Sequence, residues 1–181
     1  MSCEICTLAQ ITDASAGGKA YGLARLVAMG LPVPPAFVLR NAGADDFPAA
    51  LDQSYRALGK AIRRCVASGS NERARSYQRE HAGSDTVTMN IVVQAMVDAR
   101  AAGVVFTADP VSARRDLLVI DAVAGLGEAL VSGEATPDHY GVHSNGAIVR
   151  RQLTGTTPLL SDTEIMAIAT QARAAAKHEG H

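Results

Sequence analysis

Gly17-Gly18-Lys19-Ala20-Tyr21-Gly22-Leu23-Ala24-Arg25-Leu26-Val27, continuing through Gly30-Leu31-Pro32-Val33-Pro34-Pro35-Ala36-Phe37-Val38-Leu39, contains a helix, its stop and a strand in one stretch. Leu23, Leu26 and Val27 stand at i, i+3 and i+4, which places them on one face of a helix. Asp13 or Ser15 can cap its start. Gly30 ends it, and Pro32 just beyond cannot continue it. The prolines at 34 and 35 then force an extended entry into the apolar run Ala36–Leu39.

Downstream of this unit, residues 41–48 read as a loop. From there Leu51, Tyr55, Leu58, Ile62, Cys65 and Val66 recur at helical spacing and predict an amphipathic helix. Ser68-Gly69-Ser70-Asn71 breaks it. The charged segment Glu72–His81 reads as one more exposed helix, ended by Ala82-Gly83-Ser84-Asp85. The pattern then changes period. Val87, Met89, Ile91 and Val93 alternate with their neighbours, the mark of a strand. Gly103–Thr107 and Leu117–Val123 are short β-branched runs and read as buried strands. His139–His143 and Ala147–Leu153 flank Asn145-Gly146, predicting a hairpin whose two turn residues both take positive φ. Ser161-Asp162-Thr163-Glu164 is a capping box before a helix that buries Ile165, Ile168, Ala169 and Ala172. The expected fold class is α+β. Its N-terminal lobe, about 1–86, is expected to be mainly helical. Its C-terminal lobe, about 87–181, is expected to be mainly antiparallel sheet.

Composition narrows the function classes. The 181 residues are 48% hydrophobic, with 17 Lys+Arg against 18 Asp+Glu. That balance lacks the basic excess of a nucleic-acid binder. No apolar run approaches the ~20 residues of a membrane span. The start, Met1–Cys6, lacks the basic and apolar regions of a secretory signal, so a cytoplasmic location is expected. The 3 cysteines are then expected to be reduced. Cys3 and Cys6 form a lone C-x-x-C without the further ligands of a zinc site, and they read as strand residues.

Few residues point to chemistry on spacing alone. Gly17-Gly18-Lys19 at a helix start can hold an anion on unpaired N–H groups, or it can be a flexible turn with a solvated lysine. It is not a phosphate loop of the G-x-x-x-x-G-K-[ST] kind, because Asp13 and Ala20 stand where Gly and Ser or Thr are required. Gln94 at a strand end can pair with a nucleobase, or it can cap the sheet edge. Gly125-Leu126-Gly127-Glu128 permits close backbone approach, but Leu130 spoils a dinucleotide fingerprint. Glu128 also suits a helix start for dipole reasons. His139 and His143 are weak metal candidates, and Arg114-Arg115 and Arg150-Arg151 read as solvated charges.

Taken together and in order, these motifs carry a resemblance. The stretch 17–38, Val92-Val93-Gln94-Ala95-Met96-Val97, Ala102–Pro110, Gly125–Gly133 and Thr136-Pro137-Asp138 resemble the nucleotide-binding domain of the pyruvate phosphate dikinase, phosphoenolpyruvate synthase and rifampin phosphotransferase family. The resemblance implies a shortened, two-lobed ATP-grasp fold that holds ATP between its lobes. It implies that Lys19 contacts the ATP phosphates. It implies that Gln94 contacts the nucleotide, with Met96 and Val97 in the hinge beside adenine. The implied cofactors are ATP and Mg²⁺. The implied partner is a phosphohistidine domain in trans, and a homo-oligomer is expected from uncovered apolar surface.

The departures bear on activity. The family has an Arg-Ser-Ser-Ala-type segment and a glycine-rich loop where this chain passes from Leu39 to Leu51 in a short loop. It also continues, beyond the position of His181, into a strand with a magnesium-binding Glu and a Gln-Ser-Arg-Pro segment. The resemblance therefore implies that the arginine and the metal carboxylate are missing. Each such group is worth about 10²–10³ in rate. Two functions follow as expectations: an ATP-binding domain serving phosphoryl transfer to a histidine elsewhere, or a catalytically silent, shortened homologue. No catalytic or metal-binding residue is assigned.

Overall fold

The computed structural model describes residues 3–43, 46, 56–68 and 89–178. The predicted helix over 72–81, the break before it, and residues Leu51, Tyr55 and Val87 lie outside the described residues. The chain divides into two compact units, Met1–Met96 and Val97–His181.

Among the described residues, unit 1 has a sheet of three antiparallel strands in sequence order: β1 (Glu4–Thr7), β2 (Ala36–Ala42) and β3 (Met89–Gln94). Helix α1 (Gly18–Ala28) covers one face, and α2 (Arg56–Ser68) covers the other. Period-two alternation sorts the side chains. Cys6, Val38 and Val92 pack with Ala20 and Ala24 of α1. Leu39 and Ile91 pack with Ile62 and Val66 of α2. The alanines of α1 suit this role, because small side chains let a helix lie close to a sheet. On α2, Leu58 and Cys65 of the predicted apolar stripe remain exposed. Unit 1 is thus a helix–sheet–helix sandwich, where the periodicity suggested a mainly helical lobe. The boundary between the two compact units falls after Met96, because β3 hydrogen-bonds to β2 and is held in unit 1.

In unit 2 the described residues form a four-stranded antiparallel sheet in chain order: β4 (Ala101–Phe106), β5 (Leu117–Ala124), β6 (Asp138–His143) and β7 (Ile148–Gln152). The short helix α3 (Glu128–Val131) begins at Glu128, and the long α4 (Asp162–His178) lies on one sheet face. Leu118, Ile120, Tyr140 and Val142 pack there against Ile165 and Ala169. The capping box forms as expected. Ser161 N donates to Glu164 Oε2 at 2.8 Å, and Glu164 N donates to Ser161 Oγ at 3.3 Å. The chain is therefore α+β.

The β6–β7 turn differs from its prediction. Gly146 has φ +90°, whereas Asn145 keeps a negative φ. Gly146 N bonds His143 O, and His143 N bonds Ala147 O, both at 2.8 Å. The turn therefore has three residues, with glycine at its left-handed position, and the extra residue is absorbed by a register shift between Gly141 and Val142. Among the described residues, no helix is long and apolar enough to cross a membrane.

Candidate functional site

Helix α1 opens at Gly17, whose φ of +93° is a conformation that side chains other than glycine rarely adopt. The expected Asp13 cap serves the preceding 3₁₀ turn: its carboxylate accepts Ser15 N at 2.7 Å, and the Ser15 hydroxyl together with that N–H holds the carboxyl below the usual range. No side chain caps α1 itself, and Tyr21 N is bonded back to Gly17 O. The N–H groups of the first turn therefore face outward, at the positive end of the helix dipole. Lys19 stands in that turn, exposed and without an ion pair or hydrogen bond among the described residues.

Two side chains beside this helix start escaped the sequence reading. Arg40 donates to Ser15 Oγ at 2.9 Å. Asn90 donates to Ser15 O at 2.8 Å, and its Oδ1 accepts Asn41 N at 3.0 Å. The cause is an irregularity in β2, where the register shifts between Leu39 and Ala42 and Asn41 takes φ +54°. That shift turns Arg40 toward the start of α1. An arginine interrupting an apolar strand was the available signal.

Gln94 sits at the other end of β3, opposite Ala36. Its Nε2 lies 3.5 Å from Pro34 O, and its Oε1 has no partner among the described residues. Asn90, Val92 and Gln94 alternate onto the face that carries α1. The helix that carries Lys19 thus covers the sheet face to which Gln94 belongs. The structure does not bring them into contact. A Cβ at Gly17 would lie 3.8 Å from Asn90, and Asn90 to Gln94 is four residues of strand, about 13 Å. Beyond Gln94, Ala95 N is tied to Pro35 O at 2.8 Å. Met96 (82% exposed) and Val97 (52% exposed) then form the link between the units.

Several motif residues of unit 2 turn out to hold the fold. Asp138 is 2% exposed and accepts Thr154 N, Leu159 N and the Tyr140 hydroxyl. Burial pushes its carboxyl up, but the two N–H groups and the phenol together hold it below the ordinary carboxylate value. Asp109, 3% exposed, accepts Val111 N and the Ser112 hydroxyl, which lower its carboxyl. His139 pairs with Asp121, and His143 with Asp116, so each imidazole already has a carboxylate. Among the described residues, no three His, Cys, Asp or Glu side chains converge as a metal site.

The Arg114 guanidinium holds Asp116 down to about 2, below the ~3.9 of an unfolded aspartate. A depressed carboxyl contributes stability above the unfolded value and loses it as pH falls through the folded one. The urea midpoint is therefore expected to decline between pH ~4 and ~2, and Asp116→Asn is expected to shallow that decline. A variant whose acid profile overlays the parent would refute the assignment.

Comparison with known proteins agrees with the motif order. The family described as pyruvate phosphate dikinase, AMP/ATP-binding domain, matches residues 49–173, more than half of the chain. Gln94, Met96 and Val97 fall inside that match, and Lys19 lies outside it. A rifampicin phosphotransferase of Streptomyces sviceus is 43% identical over 127 residues, covering 64% of this chain and 14% of that protein. One of Bacillus cereus is 39% identical over 116 residues, covering 58% and 13%. A probable phosphoenolpyruvate synthase of Methanocaldococcus jannaschii is 46% identical over 83 residues, covering 45% and 7%. The chain thus spans about a seventh or less of the length of these relatives. With the match extending across both units, the chain belongs to the pyruvate phosphate dikinase AMP/ATP-binding domain family.

Proposed function

We propose that the chain binds ATP as part of a phosphotransferase of this family, serving phosphoryl transfer to a histidine on another domain or chain. The two units correspond, in this reading, to the two lobes of a shortened ATP-grasp-like domain. Lys19 neutralises phosphate oxygens, aided by the N–H groups that open α1. Gln94, with the backbone of Met96 and Val97, holds the nucleoside. The observation that carries the reading is the uncapped start of α1, with Lys19 unpaired among the described residues, in a helix that covers the sheet face to which Gln94 belongs.

Thermal-shift titration tests this. ATP·Mg²⁺ at 100 times its dissociation constant should stabilise the chain by about 2.7 kcal/mol. Lys19→Ala removes a charged contact and is expected to weaken binding about tenfold or more. No shift at millimolar nucleotide, or an equal shift in the variant, sinks the assignment.

The silent-homologue reading is favoured by one feature of the sequence, the short passage from Leu39 to Leu51 without an arginine segment. Nucleotide-dependent stabilisation without ATP hydrolysis or phosphohistidine formation would select it. Exposed Val111 and Val131 support self-association as part of either reading, and a monomer by light scattering would remove it.

A further inference from the structure

We infer that unit 2 carries a second ligand site, a pocket for a small organic anion, formed where the C-terminal part of α4 meets the start of β5. A cavity of about 480 Å³ opens there. Buried Leu118 and two alanines line its apolar part. Arg115, Arg173, Lys177, Thr107 and Ser144 supply cations and hydroxyls, and no carboxylate lines it among the described residues.

The charge pairing of the unit sets these three cations apart. Arg100 is paired with Glu164, Arg114 with Asp116, Arg150 with Asp109 and Arg151 with Asp162. Among the described residues of unit 2, Arg115, Arg173 and Lys177 are the Lys and Arg side chains without a carboxylate partner, and all three border the same cavity. The nearby acids are engaged elsewhere. Asp116 holds Arg114 and faces His143, and Asp109 is bound to Val111 N, Ser112 and Arg150.

Helix electrostatics explain part of this arrangement. Cations in the last turn of α4 are favoured by the helix dipole, which suits Lys177. Arg115 comes from the loop before β5 and has no such reason to be there. Arg173 is also held in place: its Nη2 donates to Val142 O at 3.1 Å and His143 O at 2.9 Å. A guanidinium fixed by backbone carbonyls loses little freedom on meeting an anion, and its remaining N–H groups keep their planar fork. The volume is in the range of small-molecule pockets. Cations and hydroxyls against an apolar floor select a ligand with one anionic end and one apolar end, such as an aryl or alkyl phosphate. The pocket lies wholly within unit 2 and does not depend on the ATP reading.

Phenyl phosphate, inorganic phosphate and phenol are the probes, titrated calorimetrically against the whole chain. Phenyl phosphate is expected to bind at least about tenfold more tightly than either of the others. The Arg115→Ala/Lys177→Ala pair is expected to lose at least about tenfold of that affinity. Lys19→Ala should leave it unchanged, which separates this pocket from the nucleotide site. If the double variant fails to fold, Arg115→Glu alone carries the test, because Arg115 makes no hydrogen bond or ion pair among the described residues. Equal binding of phenyl and inorganic phosphate would overturn the pocket, and so would unchanged affinity in these variants or loss in Lys19→Ala.

Discussion

Asp138→Ala is expected to destabilise the protein by about 3–5 kcal/mol, the cost of leaving three buried donors without their shared acceptor. The carboxylate accepts Thr154 N at 2.8 Å and Leu159 N at 3.1 Å, and the Tyr140 hydroxyl at 2.9 Å. Removing it strands two backbone donors and a phenol in a site that is 2% exposed at Asp138 and 0% exposed at Tyr140. An unsatisfied buried donor costs about 1–3 kcal/mol, and here three are affected together. Tyr140 oxygen also accepts Leu160 N at 3.3 Å, so the damage reaches the start of α4. Asp138→Asn keeps the shape and one acceptor oxygen, and should recover about half of the loss. Urea unfolding reads both variants. A loss below about 1 kcal/mol in the alanine variant would show that water replaces the network.

Gly103→Val is expected to cost about 3 kcal/mol, the upper range of overpacking. A Cβ at this position would stand 2.3 Å from Asp121 O and 3.2 Å from its carbonyl carbon. Those atoms are backbone of the neighbouring strand, so no rotamer change relieves the overlap. The Gly103↔Ala122 pair must move apart, and the β4–β5 ladder with it. Gly127, where an added Cβ would meet Ala102 Cβ at an ordinary 3.5 Å, serves as the control. Its alanine variant should lose much less. Equal losses at the two positions would mean that conformational freedom, not strand contact, is why glycine stands at 103.

Both predictions revise what the family motifs of this chain mean physically. Thr136-Pro137-Asp138 and Ala102-Gly103-Val104 belong to the motifs that carry the family resemblance. In the structure, Asp138 anchors a crossing segment and Gly103 lets two strands approach. Sequence order identifies a family through such residues because the fold requires them, whether or not they touch a ligand. The candidate ligand contacts are fewer: Lys19 at a helix start, and Gln94 and the Met96–Val97 link at a strand end.

Local signals sufficed where one element decides its own conformation. Helical spacing, Gly30 with Pro32, the Ser161–Glu164 capping box and the alternation around Ile91 each act within a few residues, and the corresponding elements are present. The α+β class followed from them. Long-range pairing was not available to such reasoning. β3 belongs with β2 because Val92 and Ile91 find Val38 and Leu39 across the sheet, a contact spanning more than fifty positions of chain, and this places the unit boundary after Met96. The same is true of Arg40 at the start of α1, of the carboxylate partners of His139 and His143, and of the three cations around one cavity that have no carboxylate partner among the described residues. Periodicity reports which face of an element is apolar, whereas the partner that covers that face, and the charges it brings, depend on the packing of distant segments.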